Sequence, residues 1–542
     1  MHRRHFATIE VAGKPPRQVH YRRAGSGPPV LLLHKSPESS MEFEGHLDAW
    51  AQHFTAIALD TPGYGLSDPL PDAHLGLAPF GDGLAAFLDA LGIEKACVYG
   101  AHTGGLIALE FARRHPSRVS AVVSNGIIVL DEAEKAYIVG GYFGDYTPEH
   151  DGRHMTRIWH RVRDQFLFFP WFEKTMTARH RMSRHFDVFP AADLQPALLD
   201  LLRTGKHERD GYAAAFNSDA IDILKGIKVP CTVLDDDGSI LVDHLERLPK
   251  GLTKVERVAN QMALEARARE ILLAHADQPA PPQTATATIK DHAWKDYAGQ
   301  MFIRRSHMGR GRPLVLLHDY GASSAQWKPL MAMTHRQRPT IAPDLPGHGE
   351  TGNLVGEDVT VGGIAKAVTT ALQELGVAEY DVVAMGGMGL VALSLPNAAS
   401  LTLIDFWNLD AATRAKLKGR MAPDLTPVWY GGHMNAAWYA ARDAEFFWPW
   451  FDTTRAAVVA RPAELDLTAI HQRAVDLLKA APWHGTAVDH ALKEDPAALL
   501  KRATAPVKFA AQAGSPHAKG DFLTLSDDPA RRWAAIAALF RN

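Results

Sequence analysis

Cysteine is nearly absent, with two in 542 residues. That excludes a disulfide framework and any cysteine-rich metal site. Cys97 and Cys231, each in an apolar strand-like run, read as buried free thiols. No apolar run reaches the roughly 18 residues that a membrane span needs. The first residues, Met1-His2-Arg3-Arg4-His5-Phe6-Ala7-Thr8, lack the apolar centre of a signal peptide. Excess charge is missing too. The formal net charge is −3 with no long basic run, so the electrostatic footprint of a nucleic-acid binder is not there. These absences lead to the expectation of a cytoplasmic protein whose partners include neither nucleic acid nor a membrane. What is present is an ordinary globular composition, 46% hydrophobic and 22% charged. The chain is too long for one hydrophobic core, so two domains are expected.

The sequence repeats itself. Val30-Leu31-Leu32-Leu33-His34 returns 284 residues later as Leu314-Val315-Leu316-Leu317-His318, and Asp60-Thr61-Pro62-Gly63-Tyr64-Gly65 as Asp344-Leu345-Pro346-Gly347-His348-Gly349. Gly105-Leu106-Ile107-Ala108-Leu109 returns at the same spacing as Gly389-Leu390-Val391-Ala392-Leu393. The spacing then shortens to 279, where His154-Met155, Trp159, Arg163-Asp164 and Pro170-Trp171-Phe172 match His433-Met434, Trp438, Arg442-Asp443 and Pro449-Trp450-Phe451. Two homologous domains in tandem follow. The expected bounds are 1–278, a Pro/Ala/Thr linker at 279–288 that reads as extended and semi-rigid, and 289–542.

Within each copy, short apolar runs (Pro29–Leu33, Thr55–Leu59, Ala96–Tyr99, Val119–Ser124, Cys231–Leu234) alternate with helical stretches. That alternation predicts a mostly parallel sheet covered on both faces. Aromatic-rich helical insertions at about 131–220 and 410–492 interrupt it.

The most informative stretch is Val98-Tyr99-Gly100-Ala101-His102-Thr103-Gly104-Gly105-Leu106. A strand, a tight turn with glycines either side of one residue, and a helix form the pattern G-x-Nu-x-G. On these motifs the chain resembles the α/β-hydrolase superfamily over nearly its whole length, twice. The fold class expected is α/β, two tandem α/β-hydrolase domains, each with a doubly wound sheet and a helical cap. In that family the residue at the turn is most often Ser, Cys or Asp, whereas here it is His102. The segment Gly100-Ala101-His102-Thr103-Gly104, with the loop His34-Lys35-Ser36-Pro37-Glu38-Ser39-Ser40, is similar to a bacterial subgroup with histidine at this position.

The resemblance implies an oxyanion hole from the backbone N–H groups of Thr103 and Ser36. Lys35 either adds a cation beside the developing charge or snorkels to solvent, and His34 opens the same loop as a candidate substrate contact. At the helix N-terminus the dipole favours a neutral His102 ring, able to act as base or nucleophile. The opposing reading is a decayed turn that kept its glycines for the fold. The family acid would fall at Asp235, in Asp235-Asp236-Asp237-Gly238, which also reads as a solvated turn. The family histidine would fall near Val258-Ala259-Asn260, where none occurs. In the second copy Gly386 stands at the turn and Asp319 in the loop, so that copy is expected to be non-catalytic.

In the first cap, Met155, Trp159 and Arg163 share a helical face. Asp164, next in sequence, should point elsewhere. His154, Trp159, Arg163 and Asp164 are candidate substrate contacts, with Arg163 suited to a carboxylate. The other reading is cap packing. His180, Arg181, Arg184 and His185 lack metal-ligand spacing, and neither metal nor cofactor is expected. The leading function is a hydrolase-like enzyme acting on a small carbonyl compound (ester, lactone or C–C bond) in the first domain. The alternatives are a ligand-binding or scaffold pseudoenzyme and a lyase working by proton abstraction. Expected partners are a small-molecule substrate and the other domain of the chain, with self-association left open.

Overall fold

The strand-like runs become strands because nearly every residue in them is apolar and each side of the sheet has something to bury. The computed structural model describes residues 3–71, 76–179, 189–283, 293–306, 310–352, 359–518 and 520–540. The chain divides into two compact units, Met1–Thr147 with Arg157–Thr288, and Pro148–Thr156 with Ile289–Asn542.

The first unit holds an eight-stranded sheet of β1 (Arg3–Ile9), β2 (Arg17–Ala24), β3 (Pro29–Leu33), β4 (Thr55–Leu59), β5 (Ala96–Ala101), β6 (Val119–Asn125), β7 (Cys231–Asp236) and β8 (Lys254–Val258), in the order β1-β2-β4-β3-β5-β6-β7-β8. β1, β2 and β4 pair antiparallel, and from β4 through β3 to β8 every pairing is parallel. Strands β3 to β6 are buried along their whole length, as a sheet covered on both faces requires. Alternation sorts their side chains. Leu31, Leu33, Ile57, Val98 and Val122 pack under the helices Ala78–Ala90 and Thr103–Arg114. Leu32, Ala56, Ala58, Tyr99 and Val123 pack on the other face with Trp50 and the helix Gln261–Leu273.

The cap of this unit comprises the helices Glu132–Gly141, Gln195–Thr204 and Glu208–Phe216 and residues 157–165 of the helix Arg153–Gln165. Its first helix starts at a reciprocal capping box, with Asp131 accepting from Glu134 N–H and Glu134 from Asp131 N–H. A cap of this kind is worth about 1 kcal/mol. The start of the linker does not run free. Ala280 N–H bonds Gly27 O at 3.1 Å, and Asp277 takes the Ser120 hydroxyl. Thr284–Thr288 lie outside the described residues, as do His180, Arg181, Arg184 and His185.

The second unit repeats the topology. Its strands are β9 (Trp294–Ala298), β10 (Met301–Ser306), β11 (Leu314–Leu317), β12 (Thr340–Pro343), β13 (Tyr380–Met385), β14 (Ala398–Ile404), β15 (Val507–Gln512) and β16 (Leu523–Leu525), in the order β9-β10-β12-β11-β13-β14-β15-β16. One difference bears on chemistry. After β5 a helix runs for 12 residues, Thr103–Arg114, whereas after β13 there is a 3-10 turn, Gly386–Met388, and a four-residue helix, Gly389–Ala392. No described helix is long and apolar enough to cross a membrane.

Candidate active site

Parallel register carries the chemistry-bearing segments to one end of the first sheet, where ligands of open α/β sheets gather. Leu33 pairs with Gly100 and Ala101 with Asn125, so the loop after β3 lies beside the turn after β5. The turn is tight. A Cβ on Gly100 would come 2.2 Å from Gly104 O, and one on Gly104 would come 2.3 Å from Leu33 O. Between these glycines His102 is held at φ 45° and ψ −107°, a conformation that costs a non-glycine residue on the order of 1–3 kcal/mol. It is fixed by its own N–H to Asn125 O (2.8 Å) and by its carbonyl, which accepts from Leu106 N–H (3.1 Å). The half-buried ring lies against Gly126, whose N–H bonds Leu234 O at 2.7 Å.

The loop after β3 is braced from inside. His34 is 1% exposed. Its Nδ1 meets Lys35 O at 2.9 Å and its Nε2 accepts from Thr61 N–H at 2.9 Å, while burial lowers its pKa. It is a loop brace, not the substrate contact expected of it. Lys35 takes neither course expected. Its ammonium sits 2.9 Å from Glu42 and 3.1 Å from Glu38. Burial works against its charge, but the two carboxylates prevail and its pKa is raised. The Ser36 carbonyl accepts from Tyr212 OH at 2.5 Å, which ties the loop to the cap.

The second unit shows what this loop and turn make together. Asp319, 284 residues after Lys35, places Oδ1 2.8 Å from Tyr320 N and 2.9 Å from Gly387 N. Two backbone donors therefore converge on one oxygen, and their counterparts in the first unit are the N–H groups of Ser36 and Thr103. Gly386, the counterpart of His102, has φ 57°, and a Cβ on it would lie 2.1 Å from Asp319 Oδ2. The carboxylate occupies the space that a turn side chain would need. Burial raises the Asp319 pKa to about 7.

Other expected residues fall differently. Asp235 is not in a solvated turn. It is fully buried in β7, with Asp236 N–H on Oδ1 at 2.9 Å and no hydrogen-bond partner at Oδ2, and burial raises its pKa to about 6. After β8, Asn260 caps the helix Gln261–Leu273 by accepting from Ala263 N–H. Met155 and Trp159 are buried, as are Ile158 and Val162 of the same helix. Asp164 does not point away from Arg163: its Oδ1 lies 3.2 Å from Arg163 Nε, and its Oδ2 lies 2.6 Å from Lys174. His154 is buried and belongs to the second unit, where its Nδ1 accepts from Glu149 N–H and its Nε2 is 3.2 Å from His471.

The cap residue that sequence reasoning missed is Arg161. It is 1% exposed and paired with buried Glu208 at 3.1 Å. It lies over the rings of Tyr142 (5.1 Å) and Trp171 (4.7 Å). Tyr142 packs on Tyr212, and Tyr64 OH donates to Glu208 O, so this pair connects to the loop after β3. Position 440, its match in the second copy, is Ala440, and comparing the copies conceals it. The helical period of Met155, Ile158, Trp159 and Val162 was the available signal for the buried face.

Strand order, the strained turn and the loop beside it agree with the family match over residues 28–161, described as alpha/beta hydrolase fold. The chain is built on the α/β-hydrolase fold. Similar proteins carry the same segment. An uncharacterized protein of Mycobacterium tuberculosis is 38% identical over 112 residues, 20% of this chain and 33% of that protein. Rat bifunctional epoxide hydrolase 2 is 34% identical over 116 residues, 21% of each chain. The matched stretch thus spans a third or less of these curated relatives. Among solved structures, epoxide hydrolase A from Mycobacterium thermoresistibile aligns with 51% of this chain and all of its own, at 17% identity and a TM-score of 0.39.

Proposed function

We propose that the first unit is a hydrolase of small carbonyl compounds, esters or lactones, with His102 as general base and the N–H groups of Ser36 and Thr103 as the oxyanion hole, and that the second unit is non-catalytic. The observation that carries this reading is the pair of N–H groups converging on Asp319 Oδ1 in the second unit. At the corresponding place the first unit has Lys35, which carries no acceptor and is drawn to Glu38 and Glu42. Its donor pair is therefore left for a substrate oxygen. The name of the rat relative, bifunctional epoxide hydrolase 2, supports hydrolysis as the reaction class.

In the step proposed, His102 takes a proton from water as the water oxygen bonds the carbonyl carbon. The carbonyl π pair moves onto the oxygen facing the two N–H donors. Collapse re-forms the carbonyl and breaks the bond to the leaving oxygen, which takes the proton back from the imidazolium. Water and ester are consumed, acid and alcohol appear, and His102 ends as it began.

The test is turnover of activated esters, lactones and an epoxide by the full chain and by His102→Ala. A base of this kind contributes about 10²- to 10⁴-fold, so ester or lactone turnover should fall by that factor in the variant. Full turnover by His102→Ala defeats the proposal. Turnover of the epoxide alone would keep a hydrolase and remove the carbonyl substrate. The second reading, a ligand-binding protein without turnover, draws on Asn260 standing as a helix cap where a histidine would be needed. Binding without turnover of any panel member would establish it.

A further inference from the structure

The second unit contains a cavity of about 270 Å³ away from the loop and turn just described, between the β9–β10 edge and the helix Lys328–Thr334. Its wall is of two kinds. Ala293, Met331 and Ala332 give the apolar part, and Arg304, Lys328 and His335 supply nitrogen.

Among the described residues neither Arg304 nor Lys328 forms an ion pair, and Arg304 Nε is enclosed with no hydrogen-bond partner. An unsatisfied buried guanidinium N–H is costly. The cations also repel one another. The Lys328 pKa is lowered to about 8, first by Arg304, then by burial, with Lys295 and Lys479 adding to the effect and Asp476 opposing it. Asp476 itself is engaged by Ser323 Oγ and Gln472, and Lys479 by Glu350. Lys295 stands directly opposite Arg304 in the β9–β10 ladder. His335 Nδ1 is turned to the carbonyls of Met331 and Ala332.

We infer that this cavity binds a small organic carboxylate, its charged head between Arg304 and Lys328 and its apolar body against Ala293 and Met331. A monoanion answers both defects, giving Arg304 Nε an acceptor and placing negative charge between two mutually repelling cations. The volume is below the range usual for drug-sized ligands, which sets the body at about the size of one aromatic ring. The inference is independent of the reaction assigned to the first unit.

Isothermal titration of the full-length protein with benzoate, benzamide and inorganic phosphate tests it. Benzoate is expected to bind with one site per chain, and benzamide, of the same shape without the charge, at least about tenfold more weakly. Arg304→Gln and Lys328→Gln should each weaken benzoate by about tenfold. Lys501→Gln, on the helix Pro496–Arg502, should leave it unchanged. Lys328→Gln keeps the apolar stem at the first position of the helix Lys328–Thr334, so this variant folds even if Arg304→Gln does not. Benzoate binding that ignores both substitutions, benzamide binding as tightly as benzoate, phosphate binding more tightly than benzoate, or no heat at about 10 mM benzoate would each overturn the inference.

Discussion

Replacing Asp319 by Asn tests the reading of the second unit directly. The Asn carbonyl oxygen can accept from Tyr320 N–H and Gly387 N–H as Asp319 Oδ1 does, but it carries no charge. Burial moves the Asp319 carboxyl from an ordinary 3.8 to about 7 in the folded protein. A raised pKa means that folding favours the protonated acid. The stabilisation is therefore complete below about pH 3.8 and is lost as pH rises through about 7. At about 1.4 kcal/mol per pH unit the difference is ~4 kcal/mol, an upper figure because buried groups relax. Denaturant unfolding of wild type and variant at pH 5 and pH 8 isolates this group, since every other titration cancels in the double difference. The unfolding transition of the second unit must be followed, because a two-unit chain need not unfold in one step. Only the part of that loss between pH 5 and about pH 7 falls in this window, so the variant should gain up to about 2.7 kcal/mol relative to wild type between pH 5 and pH 8. A double difference below about 0.5 kcal/mol would show that the carboxylate does not sit buried on the two N–H groups.

Three further outcomes follow from the first unit. Arg161→Met should destabilise it by about 3–5 kcal/mol by leaving Glu208 buried and unpaired, while the double change Arg161→Met with Glu208→Leu should cost less than the single one; thermal unfolding decides. Gly104→Ala places a methyl group 2.3 Å from Leu33 O and 2.6 Å from His34 O, so folded yield and Tm should both fall sharply. Lys35→Met leaves Glu38 and Glu42 without their shared cation. The fall in Tm should be larger at pH 8 than at pH 5, and a fall of equal size at both pH values would refute the ion-pair assignment.

The sheet was legible in the sequence because burial on both faces leaves a simple mark. Pro29–Leu33 and Thr55–Leu59 have the same bounds as sequence reading and as strands. The turn around His102 was legible through its glycines, which two backbones in near contact require. Side-chain partnerships were not. That Lys35 would meet Glu38 and Glu42 depends on how the 3-10 turn Ser40–Phe43 folds back toward the loop, which no spacing rule encodes. The bond from Ser39 Oγ to Asp200 Oδ2, and its counterpart from Ser323 to Asp476, join residues more than 150 positions apart. Arg161 escaped notice for another reason. It occurs in one copy alone, and a comparison built on repetition favours what both copies keep.

The carboxylate of Asp319 also sets a stoichiometry. A chain with two such sheets would be expected to take up two equivalents of any reagent that seeks a paired amide pocket, whether a boronic acid, a phosphonate or a trifluoroketone hydrate. In the second unit that seat is filled by a group covalently tethered to it, at an effective concentration that a dissolved reagent does not match. Titration with such an inhibitor should reach its end point at one equivalent per chain.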